Sequence, residues 1–153
     1  YDFNQPERFD LEYTAADGTH QRPIMIHRAG FGSFERFTGM LIEQYAGKFP
    51  TWLSPCQVKV LPVSEKARDY AKEVGERLRA AGIRVKVDER DEKIGYKIRE
   101  ARSIDRVPYM LILGEKEAEA GNISVRDRSN ETHQTSLEEF VASVTAEIAE
   151  RRG

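Results

Sequence analysis

From residue 57 onward, the hydrophobic positions switch between a two-residue and a three-to-four-residue period. Val58 to Val63 predicts a strand. Ser64 is placed to cap a helix reaching about Ala81, with Ala67, Tyr70, Ala71, Val74 and Leu78 on one face and Gly82 as its stop. Ile83, Val85 and Val87 then alternate with Arg84, Lys86 and Asp88, the signature of a half-buried strand. Asp88 to Asp91 is a charged loop, and Asp91 is placed to cap the next helix. There Ile94, Ile98 and Ala101 fall at i, i+4 and i+7. Pro108 ends that helix and pushes Val107 toward extended geometry. Val107 to Leu113 is an almost unbroken apolar run, as expected of a central strand buried on both faces. After Gly121, Ile123 to Arg126 predicts a short strand, and residues 127–135 a turn with an edge strand. Ser136 with Glu139 reads as a capping box for a last helix, striped by Leu137, Phe140, Val141, Val144 and Ile148.

The first fifty residues follow a different pattern. Arg8 to Tyr13 and Pro23 to His27 each alternate, with Asp17-Gly18 between them, and predict an antiparallel hairpin with a long connection. Gly30, Gly32 and Ser33 lead into a helix running through about Tyr45, with Phe34, Phe37, Leu41 and Tyr45 at helical spacing and Gly47 as its stop. A proline-marked joint near residues 50–56 divides the chain into 1–52 and 53–153. Alternating strands and helices predict an α/β fold: a mixed, mostly parallel sheet of about five strands flanked by helices on both faces. The hairpin and helix precede it.

Composition narrows the class. Hydrophobic residues at 39% and charged residues at 33% suit a folded globular chain rather than a disordered or membrane-embedded one. No apolar run approaches the roughly 18–20 residues needed to cross a bilayer. The N-terminus is polar and shows no signal peptide. It lacks Met and starts in strand-like material, so a piece of a longer protein is expected. The single Cys56 has no internal disulfide partner, which points to a reducing, cytoplasmic setting.

Charge changes the picture more. The net charge is −2. Yet Lys93, Lys97, Arg99, Arg102 and Arg106 crowd one helix, with Lys116, Arg126 and Arg128 close downstream. A local basic cluster on an acidic chain suggests a polyanion-binding face. The alternative is a solvated helix face paired with Glu92, Glu100 and Asp105.

Candidate chemistry is sparse. His27 has no partner at Cys-x-x-Cys or His-x-x-x-His spacing, so the chain does not spell out a complete metal site. The glycines before Ser33 turn backbone N–H groups toward a possible anion, and Arg36 lies about one turn into that helix. No phosphate-loop motif is present. Cys56 reads as an inert thiol.

The segment Arg22 to Phe37, RPIMIHRAGFGSFERF, resembles the third motif of the class II aminoacyl-tRNA synthetases. Its Met25-Ile26-His27-Arg28-Ala29 variant is similar to that of the threonyl enzymes. Phe49-Pro50-Thr51-Trp52-Leu53-Ser54-Pro55, Gly82-Ile83-Arg84-Val85, Lys93 to Glu100 and Val107-Pro108-Tyr109-Met110 extend the resemblance, in order, over essentially the whole chain. It implies a remnant of the catalytic domain followed by the anticodon-binding domain of the Thr, Pro, His and Gly synthetases. On this reading His27 is the third ligand of the zinc that selects threonine. Ser33 lines the amino acid pocket, and Arg36, a catalytic residue, contacts the ATP phosphates. Lys93, Arg99, Lys116, Glu117 and Arg126 contact the anticodon of tRNA(Thr). Asp91 departs from the pattern, since it stands where a bacterial relative has Asn; a carboxylate accepts but does not donate. Zn2+ and ATP with Mg2+ belong to the parent enzyme, expected to be a homodimer. This piece is expected to be inactive alone, to hold no cofactor tightly and to have no membrane partner. Three readings remain beside this one: another synthetase of the same group, a stand-alone RNA-binding or adaptor module, and a small-molecule domain. The last is disfavoured because Pro62-Val63-Ser64-Glu65 lacks the glycines that admit a phosphate.

Overall fold

The computed structural model describes residues 1–152. Contacts divide them into two compact units that meet at Met40 and Leu41.

The first unit opens with helix α1 (Asn4–Arg8), and of the strand expected over Arg8 to Tyr13 only Tyr13 lies in one. Asp2 holds the α1 turn: its Oδ1 accepts from the backbone N–H of Asn4 and Gln5 at 2.9 and 3.0 Å. Pro6 falls in the first turn, where a missing N–H costs little. Phe9, Leu11 and Tyr13, the residues that suggested alternation, are exposed. The hairpin does form about Asp17-Gly18, but it is short: β1 (Tyr13–Thr14) pairs antiparallel with β2 (His20–Gln21). Pro23 to His27 is extended and pairs only at Met25, which exchanges both backbone bonds with Asp2.

Helix α2 (Phe34–Tyr45) begins where Ser33 was expected to cap it, and the Ser33 hydroxyl accepts from the Arg36 N–H at 3.2 Å. It ends at Gly47, whose φ of 75° a side chain would oppose.

The second unit holds β3 (Val58–Pro62), α3 (Arg68–Ala80), β4 (Val85–Val87), α4 (Ile94–Ser103), β5 (Tyr109–Leu113), α5 (Glu115–Ala120), β6 (Asn122–Arg126), β7 (Thr132–Ser136) and α6 (Leu137–Ala149). The strands form one five-stranded mixed sheet in the order β4-β3-β5-β6-β7. β3 runs parallel to β4 and β5, while β6 is antiparallel to β5 and β7. Alternate strand residues feed two cores. Val58, Val60, Leu111, Leu113, Ile123 and Val125 pack against α3 and α6. Leu61 and Met110 pack on the other face against Ala101 of α4 and Val107. Gly75 lets α3 approach the sheet, since a Cβ there would lie 2.6 Å from Val87 Cγ2.

Local details depart from expectation in four places. Ser64 does not cap α3: a 3-10 turn (Glu65–Ala67) intervenes, and the buried Ser64 hydroxyl has no hydrogen-bond partner among the described residues. Asp91 does not cap α4. Lys93 occupies the N-cap position without a side-chain bond, and the exposed Asp91 lies 3.6 Å from the Arg68 guanidinium. Only half of the final capping box forms, because Ser136 accepts from the Glu139 N–H while the Glu139 carboxylate takes the Thr135 hydroxyl. Helix α5 was not foreseen. Glu117 reaches back to the Gly114 N–H and holds that turn in place.

Candidate nucleic-acid interface

Strand register lines up two rows across the sheet face that α4 covers. One row runs Lys59, Met110, Arg126, Thr132, and the next runs Leu61, Ile112, Ser124, Gln134. Along the first row Lys59 and Met110 are buried under α4, Arg126 is half-buried and Thr132 is exposed; along the second Leu61 is buried, Ile112 half-buried, Ser124 buried and Gln134 exposed. The β7 edge of this face is therefore open.

Two of the expected anticodon residues lie near Ser124 of β6, beside that edge. Glu117 bonds the Ser124 hydroxyl through Oε1 and the Gly114 N–H through Oε2, both at 2.9 Å. Burial pushes the Glu117 carboxyl up, but these hydrogen bonds outweigh it and leave the group below its ordinary value. A carboxylate with two fixed donors still has lone pairs to offer a base edge. Arg126 lies two residues farther along the same strand face, about 7 Å away. Its Nε is buried and has no hydrogen-bond partner among the described residues. Such an orphaned donor is costly unless a ligand completes it.

The lysines sit elsewhere. Lys93 opens α4 after β4, and Lys116 lies on α5 after β5. Both are exposed beyond the carboxyl ends of the parallel strands. Ion pairs Arg68–Asp91 and Lys66–Glu115, at 3.6 and 3.4 Å, tie both loops to the turn after β3. Arg99 is exposed on α4. Lys97 is not: it is 3% exposed and donates to the Asp88 and Pro62 carbonyls at 3.1 and 3.5 Å. Lys97 therefore does not belong to the exposed basic cluster in which the sequence placed it.

A cavity of about 500 Å³ opens beside the Arg126 row, with Lys48, Arg102, Arg106 and Arg128 around Met110 and only Asp127 opposing them. Arg102 bonds the Asn130 side chain, and Arg128 bonds the Arg106 carbonyl at 2.9 Å. Partial desolvation lowers the Arg128 pKa, although the residue stays exposed. The clustered arginines were visible in sequence. Their convergence with Lys48 was not, because it depends on where α2 ends.

In the first unit, His27 Nε2 lies 2.9 Å from Asp2 Oδ2, and the Ser33 hydroxyl is engaged in the helix cap. Arg36 is exposed. Among the described residues no group of three or more His, Cys, Asp or Glu is placed to hold a metal ion.

A sequence profile described as an anticodon-binding domain matches residues 57–147. The chain belongs to this anticodon-binding domain family. It is 56% identical over 148 residues to the threonine–tRNA ligase of Clostridium botulinum strain Hall, covering 96% of this chain and 23% of that protein. The match to the threonine–tRNA ligase of Clostridioides difficile strain 630 is 56% over 151 residues, covering 98% and 24%. This anticodon-binding domain chain thus spans about a quarter of the length of the curated relatives it matches. Among solved structures, the RNA-binding domain of threonyl-tRNA synthetase from Cryptosporidium parvum Iowa II is similar with a TM-score of 0.75 at 37% identity. That match covers 95% of this chain and 37% of the other. No helix among the described residues is long and apolar enough to cross a membrane.

Proposed function

We infer that this chain is the anticodon-reading part of a threonyl-tRNA synthetase, and that its RNA partner is the tRNA(Thr) anticodon stem-loop. The observation that carries the reading is the orphaned Arg126 donor next to the open β7 edge, on the strand face whose Ser124 holds the Glu117 carboxylate. Unpaired anticodon bases offer donors and acceptors on their edges, and single-stranded loops are read there. Arg126 donates to such an edge and Glu117 accepts from one. Lys93, Lys116 and Arg99 meet phosphates, and the cavity ringed by Lys48, Arg102, Arg106 and Arg128 extends the polyanion surface.

The whole enzyme joins threonine to the tRNA 3′ end at the expense of ATP, with Mg2+, in the cytoplasm and as a homodimer. In it Arg36 faces the ATP phosphates, Ser33 borders the amino acid pocket and His27 contributes one zinc ligand. Among the described residues no zinc site is complete without further ligands.

The test separates reader from anchor with the intact chain. Arg126→Ala is expected to cost roughly 1–3 kcal/mol and mainly erase preference among anticodons. Lys93→Ala is expected to weaken all stem-loops alike and flatten the salt dependence. Arg126→Ala weakening every stem-loop equally, with Lys93→Ala abolishing the preference, reverses the two roles.

A further inference from the structure

Lys59 lies on β3 between Lys86 of β4 and Met110 of β5, and its side chain is 2% exposed. Its ammonium pairs with Asp105 and lies 3.9 Å from Glu100 and 4.0 Å from Asp88. Arg90 bridges two of these carboxylates, at 2.7 Å from Asp88 and 3.0 Å from Glu100. The three carboxylates have one thing in common. Asp88 precedes α4, Glu100 lies within it and Asp105 follows it. All three belong to the segment that carries Lys93 and Arg99.

A buried ion pair gives little stability over an apolar residue of the same size, because desolvation cancels most of the attraction. What it does give is direction. An ammonium is satisfied only when its acceptors stand at set distances, whereas an apolar contact tolerates sliding. Lys97 adds a second constraint from the helix side, through the Asp88 and Pro62 carbonyls. The helix is therefore fastened to the sheet by one lysine pointing up and one pointing down.

We propose that Lys59 is a positioning residue for RNA reading: through Asp88, Glu100 and Asp105 it fixes the seat of α4, and with it the placement of Lys93 and Arg99 against the anticodon loop. This rests on the RNA reading above. The Asp105 side chain is partly exposed, so the pair can be removed together. Lys59→Met/Asp105→Leu takes out one charge of each sign and keeps apolar bulk under the helix. Gly75→Ala is the control, because it strains the opposite face of the sheet against Val87.

Two readouts are taken on the intact chain: amide hydrogen exchange along α4, and titration with a threonine anticodon stem-loop. In the double variant, amides of residues 97–103 are expected to exchange at least tenfold faster while those of β5 and α6 hold, and RNA affinity is expected to fall about tenfold. Gly75→Ala is expected to lower overall stability and leave RNA affinity at the wild-type level. If the double variant binds RNA as wild type does, or loses affinity only as much as Gly75→Ala, Lys59 is structural and the proposal is overturned. If wild type itself binds no stem-loop, the RNA reading falls, and the positioning role with it; that outcome is seen in the unmutated chain before any variant is made.

Discussion

Lys93 and Lys97 stand one turn apart and meet opposite environments. The first is exposed at the start of α4, and the second is buried against two strand-end carbonyls. Lys97→Ala is expected to cost about 1–3 kcal/mol, since it opens a cavity and strands two acceptors. Lys93→Ala should stay within about 0.5 kcal/mol of wild type. Urea midpoints of the two variants check this. Asp88 supplies a pH test. The Arg90 guanidinium bonded to it holds its carboxyl down at about 2, against an ordinary 3.8. A depressed folded value means the contribution is fully present above pH 4 and is lost as the pH falls toward 2. Its size is on the order of 2 kcal/mol. The stability gap between wild type and Asp88→Asn should therefore shrink on acidification through that window. Cys56 should resist alkylation in the native chain and react readily in urea, because burial pushes its thiol up and its Sγ faces the Val58 carbonyl. At this scale the sequence showed which residue types cluster, but not which lysine turns inward. Lys97 shares a stripe with Ile94, Ala101 and Ile98, and only its long stem reaching the strand ends explains the burial.

Strong periodicity marked the helices α3, α4 and α6 and the strands β3, β5 and β6, each of which turns a face to the core, and it marked α2 as well, although that helix buries no residue and leaves Phe34 exposed. Ends and short pieces were less legible. Asp91 is a good capping residue by type, yet the chain turns at Lys93 and leaves it in solvent. The six-residue α5 has no buried residue and so no stripe to read; it is held by the Glu117 bond to Gly114. The α1 turn depends on Asp2 reaching forward, a contact that alternation cannot show. Packing between elements gives a prediction of its own. Gly75→Ala should cost roughly 1–3 kcal/mol, because the added methyl meets Val87 and α3 must lift from the sheet. Thermal unfolding of that variant measures it.

For the whole molecule, the mixed sheet with helices on both faces followed from the order of elements, since parallel neighbours need helical crossovers and the β6–β7 pair needs only a turn. The open β7 edge of the face did not follow. It exists because α4 packs over β3 and β5 and α5 reaches only Ser124 of β6 through Glu117, which leaves Thr132 and Gln134 of β7 exposed. Glu117 and Arg126 came from resemblance; that Glu117 bonds Ser124, two residues from Arg126 on the same strand face, came from register. The chain spans about a quarter of the ligases it matches, and it is expected not to support threonine-dependent ATP–pyrophosphate exchange by itself. Exchange well above background in a preparation free of host enzyme would count against that. The central claim is that this face reads bases and does more than attract phosphate. Its most direct test is titration of the intact chain with two stem-loops at two salt concentrations, one carrying the threonine anticodon and one with its second and third anticodon bases changed. The account predicts weaker binding of both at higher salt and a preference for the threonine anticodon that persists at either concentration. Equal affinity for the two stem-loops at both concentrations would contradict it.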